Sequence, residues 1–232
     1  NILEQINRVA SSTQYGHNYL LDGSRAGTGV TTGENLEFVN AGSKAHSSGL
    51  GGYEVLIEQE ATRAAHGGTI NLTQDIIDDG EQIYISEGGK TVTFVTQKGK
   101  TVEQTLNDLE TAIDEAGLDL DLMRAFPPGT DGDAPQGITL RHKEFGSEHS
   151  FQVSSNTSGL LSDVADTPMY INNGLDVAGE INGEESFGRG QVLTGGSGAD
   201  TVDGIQVRYS GQTAPLGGRA GTVTFSQNSL TF

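Results

Sequence analysis

The segment with the most specific chemical pattern in this sequence is 195–203, which reads Gly-Gly-Ser-Gly-Ala-Asp-Thr-Val-Asp. It fits one copy of the nonapeptide that binds calcium in parallel β-rolls. Each turn of such a roll supplies only part of the calcium shell, so the chemistry requires several stacked copies. Because we find a single copy, a glycine- and aspartate-rich hairpin loop is the favoured interpretation, and we predict no calcium site there.

Two other acidic segments carry the oxygen ligands that hard cations prefer. The Asp-Gly-Asp segment at 131–133 lacks the EF-hand spacing that ends in glutamate. The 75–81 segment, DIIDDGE, groups four carboxylates around an expected turn. A solvated acidic surface accounts for both segments, and we predict no metal ligands in either.

The sequence lacks the residue patterns that are typical of catalytic sites. The histidines show no His-Glu-x-x-His spacing, and no serine stands in Gly-x-Ser-x-Gly. His142 and His149 flank Glu144 and Glu148, which favours a polar sheet face over an acid–base site. Paired carboxylates for glycoside hydrolysis stay open, because such groups meet only in the folded chain. We predict that the protein is not an enzyme and has no catalytic, cofactor-binding or metal-binding residues.

The net charge argues against two classes of partner. The 31 acidic and 13 basic residues give a formal charge of −18, which repels nucleic-acid phosphates and anionic lipid. We therefore predict no nucleic-acid and no membrane partner, although a role of the charge in solubility alone is equally open. The absence of cysteine removes disulfides, zinc-finger spacing and thiol nucleophiles. With 34 glycines, we expect two or three small modules with thin cores.

Local patterns predict the elements that position these residues. Apolar residues at 2, 3, 6, 9 and 10 follow one helical stripe, so we expect the chain to open on the cut end of a longer helix. Strand-like runs at 83–86 and 91–95 flank Glu87-Gly88-Gly89-Lys90, and the paired glycines predict a hairpin turn.

The strongest helix signal begins at Thr101. Thr101 and Gln104 have capping-box spacing, apolar residues follow at 102, 106, 109, 113 and 116, and Gly117 stands where a left-handed C-cap belongs. We expect this helix to lie across a small sheet and to bury its apolar stripe against the 83–95 hairpin. After 166 the patterns predict strands and turns alone, including a turn at Asn182-Gly183.

Together these elements predict an α+β fold in a β-rich chain of several modules. Residues 1–40 would be a short remnant of a helical core and its connection to an outer region. Residues 41–165 would form an α+β module, with one small sheet and a packed helix. Residues 166–232 would form an all-β module of hairpins.

The first 23 residues carry a resemblance to a known family. The runs LEQINRVA (3–10), STQY (12–15) and LLDG (20–23) resemble bacterial flagellin at the end of its N-terminal core helix, although GHNY at 16–19 departs from the family's usual asparagine-glycine pair. The 69–161 segment resembles a repeat found inside flagellins and hook-associated proteins. The 174–195 segment resembles an insert of flagellins and of the filament cap protein.

The resemblance to flagellin implies a structural subunit of the flagellar filament, with a role in motility, of which this chain is the surface-exposed outer region. Its partners would be other flagellin subunits, bound through terminal helices that this chain lacks, and glycans or a sheath are open as further partners. The protein would be extracellular, on the bacterial flagellum, and exported through the flagellar secretion channel. Two alternatives stay open: a filament cap or hook-associated protein and, more distantly, a calcium-binding surface adhesin.

Overall fold

The computed structural model describes residues 14–15, 18–19, 27–124, 136–215 and 217–227, which form seventeen strands and two helices. The strands are β1 (Gln14–Tyr15), β2 (Asn18–Tyr19), β3 (Gly27–Thr32), β4 (Leu36–Asn40), β5 (Tyr53–Gln59), β6 (Ala65–Leu72), β7 (Gln82–Glu87), β8 (Lys90–Val95), β9 (Leu120–Arg124), β10 (Gln136–His142), β11 (Phe151–Ser155), β12 (Met169–Ile171), β13 (Ala178–Ile181), β14 (Glu184–Arg189), β15 (Val192–Gly195), β16 (Gln206–Tyr209) and β17 (Arg219–Gln227). The helices are α1 (Gln74–Asp78) and α2 (Val102–Glu115).

The chain folds into two compact units, one of which is inserted into the sequence of the other. Asn1–Ala61 and Asp176–Phe232 make the first, which we call the barrel unit, and Thr62–Leu175 makes the second, the inserted unit. The modules predicted at 41–165 and 166–232 follow one another along the chain, whereas the compact units are nested.

The barrel unit is built on one eight-stranded antiparallel sheet that nearly closes on itself. The strand order is β3-β17-β5-β13-β14-β15-β16-β4. The two edge strands, β3 and β4, contact each other across a connection at 33–35. Strand β17 lies between β3 and β5, with Val223 opposite Tyr53, so strands from before and after the inserted unit share one sheet.

Small and β-branched side chains dominate the interior of the barrel unit. Phe225 is buried there and stacks on Phe38, with the ring centroids 6.1 Å apart. The other buried apolar residues include Ala41, Ala45, Val55, Ile57, Val177, Ile181, Leu193, Val202, Ile205, Val207 and Val223. Compact side chains suit a sheet that curves back on itself, because the enclosed space is narrow.

Two backbone segments of the barrel unit come very close together at Gly188, near the end of β14. The segment before β13 crosses this strand, where the Val177 amide donates to the Gly190 carbonyl at 2.8 Å. A Cβ atom at position 188 would lie 1.6 Å from the Val177 carbonyl oxygen. Only glycine leaves room for this crossing.

The inserted unit contains two sheets and both described helices. Its sheets have the orders β6-β10-β9 and β12-β11-β7-β8, and helix α2 contacts β8 and β9. The shared core consists of Ala64, Leu72, Ile77, Ile83, Ile85, Val92, Val102, Leu106, Leu109, Ile113, Leu118, Leu120, Ile138, Leu140, Phe151, Val153, Leu160, Leu161 and Ile171. Because the members of this core come from every part of 62–175, the unit is held together by side-chain packing.

Two locally specified elements of the inserted unit confirm the sequence predictions. The Thr101 hydroxyl accepts from the Gln104 amide and the Gln104 side chain accepts from the Thr101 amide, both at 3.1 Å, which makes the capping box. Gly117 has a φ of 66° just after α2. Strands β7 and β8 pair as a hairpin with Glu87 opposite Lys90.

The predicted α+β class is wrong, because the described chain is mostly β. In the ranges that the structure describes, the helices are α1, of 5 residues, and α2, of 14 residues, among seventeen strands. The inserted unit also differs from one small sheet with a packed helix, since β6, β9 and β10 form a second sheet. The physical reason is long-range pairing: strands as far apart in sequence as β6 and β10 hydrogen-bond to each other, and no local pattern encodes that pairing.

Several predictions fall on residues that the structure does not describe. One is the opening helix at 2–10. A second is an apolar run at 19–24 that an Asp-Gly turn would close, of which only residue 19 is described. A third is an exposed loop that the prolines, glycines and aspartates of 127–137 predict, of which only 136–137 are described. The run at 3–10, which carries half of the residues of the resemblance to flagellin in the first 23 positions, lies in the first of these segments.

Candidate functional site

The 195–203 segment forms the connection between β15 and β16 and closes on itself. The Gly195 amide donates to the Ile205 carbonyl at 2.8 Å, and the Gly204 amide donates back to the Gly195 carbonyl at 3.1 Å. The Asp203 carboxylate accepts from the Gly198 amide at 2.8 Å. An aspartate that accepts from its own loop stabilises a turn, as the hairpin interpretation predicted.

Glu184, at the start of β14, fixes the same connection from the neighbouring hairpin. Its carboxylate oxygens each lie 3.2 Å from the Thr201 amide, which donates to them, and they also accept from the Thr201 hydroxyl. Burial raises the pKa of Glu184, but the hydrogen bonds from the Thr201 hydroxyl and from the Thr201 and Asp200 amides more than offset it. The pKa therefore lies below its ordinary value of 4.5.

A polar groove of about 380 Å³ runs beside this contact. Its walls include Glu185, the exposed Phe187 and Asp200. Within the described ranges, no group of three or more His, Asp or Glu side chains is arranged so as to hold a metal ion. The acidic segment at 131–133 lies outside those ranges.

Two of the four carboxylates of the 75–81 segment, Asp78 and Glu81, accept hydrogen bonds from other segments of the chain. Asp78 accepts from the Gly99 amide at 3.0 Å and from the Gln74 side chain at 3.1 Å, and these two bonds hold its pKa below the ordinary value of 3.8. Glu81 is 2% exposed and accepts from the Asn156 amide at 2.9 Å and the Thr157 amide at 3.2 Å. The hydrogen bonds of these two side chains therefore hold the 75–81 segment against Gly99 and against 156–157.

The structure brings His142 and His149 together, with ring centroids 4.7 Å apart. Nδ1 of His142 accepts from the Glu144 amide at 3.0 Å, so the proton of the neutral ring lies on Nε2. This Nε2 lies 3.5 Å from Glu87 Oε1 and makes no hydrogen bond. The His142 side chain is only 2% exposed, so a substrate would not reach it.

Glu87 was missed by sequence reasoning, because it lies 55 positions before His142 and no spacing rule links them. The signal that was available is its place beside the Gly88-Gly89 turn of a predicted hairpin, which indicates the strand but not the partner. Among the other histidines, His66 Nε2 lies 2.9 Å from the Leu161 carbonyl oxygen. His17 is outside the described residues.

One surface of the inserted unit stands out by its lack of charge. Side chains alternate across a strand, so the four-stranded sheet turns one set inward, including Ile83, Val92 and Val153, and another set outward. The outward set is Gln82, Tyr84, Ser86, Thr91, Thr93, Val95, Gln152 and Tyr170, which we call the uncharged face. Ser154 has the same register but is only 8% exposed. Val95 is 51% and Tyr170 57% exposed.

The uncharged face has the composition of a protein contact surface. Interfaces are enriched in tyrosine and depleted of lysine, glutamate and aspartate, and both features occur here. The face lies on a chain of net charge −18, so it is a place where an acidic neighbour would meet little repulsion. None of the helices in the described ranges is long and apolar enough to cross a membrane.

Comparison with solved structures finds similar folds among flagellar cap proteins. The D2–D3 domains of the cap protein FliD from Escherichia coli match 88% of this chain and 100% of that structure, with a TM-score of 0.56 and 11% identity. A structure of Escherichia coli FliD that also contains D1 matches 97% of this chain, with a TM-score of 0.56 and 13% identity. FliD D2–D3 from Serratia marcescens matches 82% of this chain and 100% of that structure, with a TM-score of 0.52 and 13% identity.

At these identities the likeness concerns the fold alone. This chain spans 62% of the length of the FliD structure that includes D1. No protein-family model matches the sequence, and no curated protein is detectably similar to it. The similarity reaches both compact units, since a match to 88% of the chain exceeds what either unit contains.

Proposed function

We propose that this chain forms the outward-projecting domains of a structural protein of the bacterial flagellar filament, and that this protein is the filament cap. The observation that supports the cap most directly is the alignment with FliD D2–D3, which spans the whole of that structure and both units of this chain. On this proposal the protein is extracellular, leaves the cell by flagellar export and has a mechanical role instead of a catalytic one.

The use of the polar side chains supports a mechanical role. Residues that act on a substrate must be accessible and must keep hydrogen-bonding capacity for it. Glu81, Glu184 and Asp203 instead accept hydrogen bonds from the chain itself, and His142 is buried. These contacts stabilise loops, which suits domains that must keep their shape on a moving surface.

The uncharged face is the surface that we assign to contact with neighbouring subunits. Two acidic proteins repel each other at most orientations, and contact through a surface without charge minimises that cost. Tyr84 and Tyr170 supply large, amphipathic contact area, and the hydroxyl and amide groups around them supply hydrogen bonds. The face has fewer side chains than the roughly 20–30 residues that a stable interface uses on each side, so we expect each contact to be weak and to act in concert with others in an assembly.

A second candidate, flagellin itself, has one specific observation in its favour. The 3–10 and 12–15 runs resemble the end of the flagellin core helix, and cap proteins were not the family that these residues suggested. Both candidates place the chain on the flagellum. They differ in whether it occurs along the filament or at its tip.

Immunogold electron microscopy of intact flagella distinguishes these candidates. Antibodies raised against the inserted unit would be applied to cells that produce the full-length protein, with a strain deleted for its gene as control. The cap proposal predicts gold at filament tips and, in the deletion strain, flagellin released into the medium. Gold along the shaft would contradict the cap proposal and favour flagellin. Flagella without any gold would contradict both candidates.

A charge introduced into the uncharged face tests the contact proposal separately. Thr93→Glu places a carboxylate at an exposed position of this face, on the edge strand β8, and we expect it to reduce swimming strongly while the protein still folds. Thr111→Glu is the matched control, because Thr111 is exposed on α2 and away from the face. Equal swimming by both variants would show that the face makes no functional contact.

A further inference from the structure

Two Asn-Gly dipeptides occur close together in the described chain, at Asn173-Gly174 and Asn182-Gly183. In such a pair the asparagine side chain is exposed to attack by the following backbone nitrogen, because glycine has no side chain to block the approach and its backbone moves easily. The two dipeptides have identical local chemistry. Their surroundings in the folded chain are very different.

Both polar atoms of the Asn173 side-chain amide make hydrogen bonds. Its Oδ1 accepts from the Ala65 amide at 2.9 Å, and its Nδ2 donates to the Ala65 carbonyl at 2.8 Å. Gly174 is enclosed as well, since a Cβ atom there would lie 2.4 Å from the Gly146 carbonyl oxygen. Neither the side chain nor the backbone nitrogen of this pair can change its position without breaking several contacts.

Asn182 stands in the two-residue turn between β13 and β14 and is exposed. Its φ of 58° and the Gly183 φ of 71° match a type I′ turn. The Asn182 side chain donates from Nδ2 to the Thr201 hydroxyl at 3.0 Å. A Cβ atom at Gly183 would meet nothing within 4 Å, so the turn has open space around it.

We propose that Asn182 is a site of spontaneous deamidation, with water as the co-reactant, and that Asn173 is protected. The Gly183 nitrogen bonds to the Asn182 side-chain carbon and loses its proton, and the bond from that carbon to Nδ2 breaks as ammonia leaves. Water then opens the resulting five-membered imide at either carbonyl. The products are aspartate or isoaspartate at position 182, and no oxidant or reductant takes part.

The hydrogen bond to Thr201 controls the rate of this modification. Nδ2 donates to the Thr201 hydroxyl, and that hydroxyl donates to Glu184, so the amide can turn toward the Gly183 nitrogen only by losing this hydrogen bond. Reaction therefore requires the turn to open first. After reaction, the new carboxylate faces Glu184 and both compete for a single hydroxyl proton, so the contact of the turn with the Thr201 hydroxyl is weakened, while the amide bonds to Glu184 stay available.

Peptide mass spectrometry of the full chain, aged at mildly alkaline pH, tests the proposal. Digestion in heavy-oxygen water separates deamidation that occurred during ageing from deamidation during digestion. We expect aspartate and isoaspartate to accumulate in the peptide that contains Asn182, at least several-fold faster than in the peptide that contains Asn173. Equal rates, or a faster reaction at Asn173, would overturn the proposal without any variant being needed.

The variant Thr201→Val tests the control by the hydrogen bond, since valine keeps the shape and removes the hydroxyl. We expect deamidation at Asn182 to become several-fold faster in this variant, with the rate at Asn173 unchanged. Circular dichroism would check that the variant is folded. An unchanged rate at Asn182 in a folded variant would contradict the proposed role of Thr201. The proposal is independent of the flagellar function, so the two can fail separately.

Discussion

The barrel unit and the inserted unit are of similar length but are stabilised in different ways. The inserted unit is one continuous stretch, Thr62–Leu175, with a core in which helix α2 and two sheets share aliphatic side chains. The barrel unit joins two separate stretches of chain, and its strands β3, β5 and β17 meet across the insertion. The unit that is continuous in sequence is thus stabilised mainly by side-chain packing. The unit that is built from two stretches is stabilised mainly by backbone pairing between its strands.

Close approach of a glycine to a backbone carbonyl is more frequent in the barrel unit than in the inserted unit. In the barrel unit a Cβ atom at Gly179, Gly188, Gly195 or Gly221 would lie 2.0 Å or less from a carbonyl oxygen of another segment. In the inserted unit Gly68 makes one approach of this kind, to the Leu160 carbonyl oxygen, whereas Gly88 and Gly89 serve a turn and have open space around them. We therefore expect the inserted unit to be most sensitive to loss of side-chain volume, and the barrel unit to addition of a single methyl group.

The largest effect is expected from Leu106→Ala in helix α2. Leu106 is fully buried in the core of the inserted unit, so the substitution leaves a cavity and should cost about 3 to 4 kcal/mol in the free energy of unfolding. Hydrogen exchange read by mass spectrometry should show faster exchange in 62–175 than in the barrel unit. Leu50→Ala is the matched control, because Leu50 is fully exposed and its loss should change little. A uniform increase in exchange over both units would remove the distinction drawn between them.

Gly188→Ala is expected to produce the next largest effect, in the barrel unit. The added methyl group overlaps the Val177 carbonyl, and the strands must shift, at a cost of about 2 kcal/mol. Exchange should rise in β13 and β14. Gly49→Ala is the control, because a Cβ atom there meets nothing within 4 Å. If both alanine variants are equally stable, the close backbone crossing at Gly188 does not restrict this position.

The inserted unit contains two elements that the sequence predicted and one that it did not. The β7–β8 hairpin and the Thr101 capping box were predicted correctly because their signals lie within a few residues. Strand β6 was missed because Gly67 and Gly68 interrupt its pattern. In the structure Gly68 is needed there, since a Cβ atom would lie 1.9 Å from the Leu160 carbonyl oxygen.

The fold class and the nested units were beyond local reasoning. Pairing of β17 with β5 places Thr222 opposite Glu54, and the inserted unit lies between them in sequence. The entropy of closing such a long loop depends little on sequence. No local residue pattern therefore indicates that β17 pairs with β5. The contacts of Glu184 with Thr201, and of His142 with Glu87, were hidden for the same reason, because they join different strands or loops.

A smaller effect is expected from Thr101→Ala, which tests the capping box at the start of α2. The variant loses the hydroxyl that accepts from the Gln104 amide, and we expect a loss of about 1 kcal/mol in unfolding free energy. Thr111→Ala is the matched control within the same helix. Thr111 is exposed and bonds only back to the Asn107 carbonyl, and alanine has the higher helix propensity, so this change should be neutral or slightly stabilising. Equal losses in both variants would mean that the cap contributes nothing specific.

The smallest effect, and the most selective for the barrel unit, is expected from Glu184→Gln measured against pH. The pKa of Glu184 is below its ordinary value of 4.5 in the folded chain, so the folded state favours the ionised form. Its contribution to stability is therefore present above the unfolded pKa and is lost as pH falls through the folded pKa. We expect wild type to be more stable than Glu184→Gln near neutral pH, with the difference vanishing in acid.

Glu185→Gln separates this effect from the general influence of charge. It removes the same charge from the neighbouring position, whose side chain is exposed, and leaves the Thr201 contact intact. In a chain of net charge −18, losing a surface carboxylate relieves repulsion, so Glu185→Gln should be neutral or slightly stabilising at neutral pH. Urea titrations followed by circular dichroism at several pH values provide the measurement. Parallel pH profiles for the two glutamine variants would show that long-range charge, and not the bond from Thr201, determines how acid affects the barrel unit.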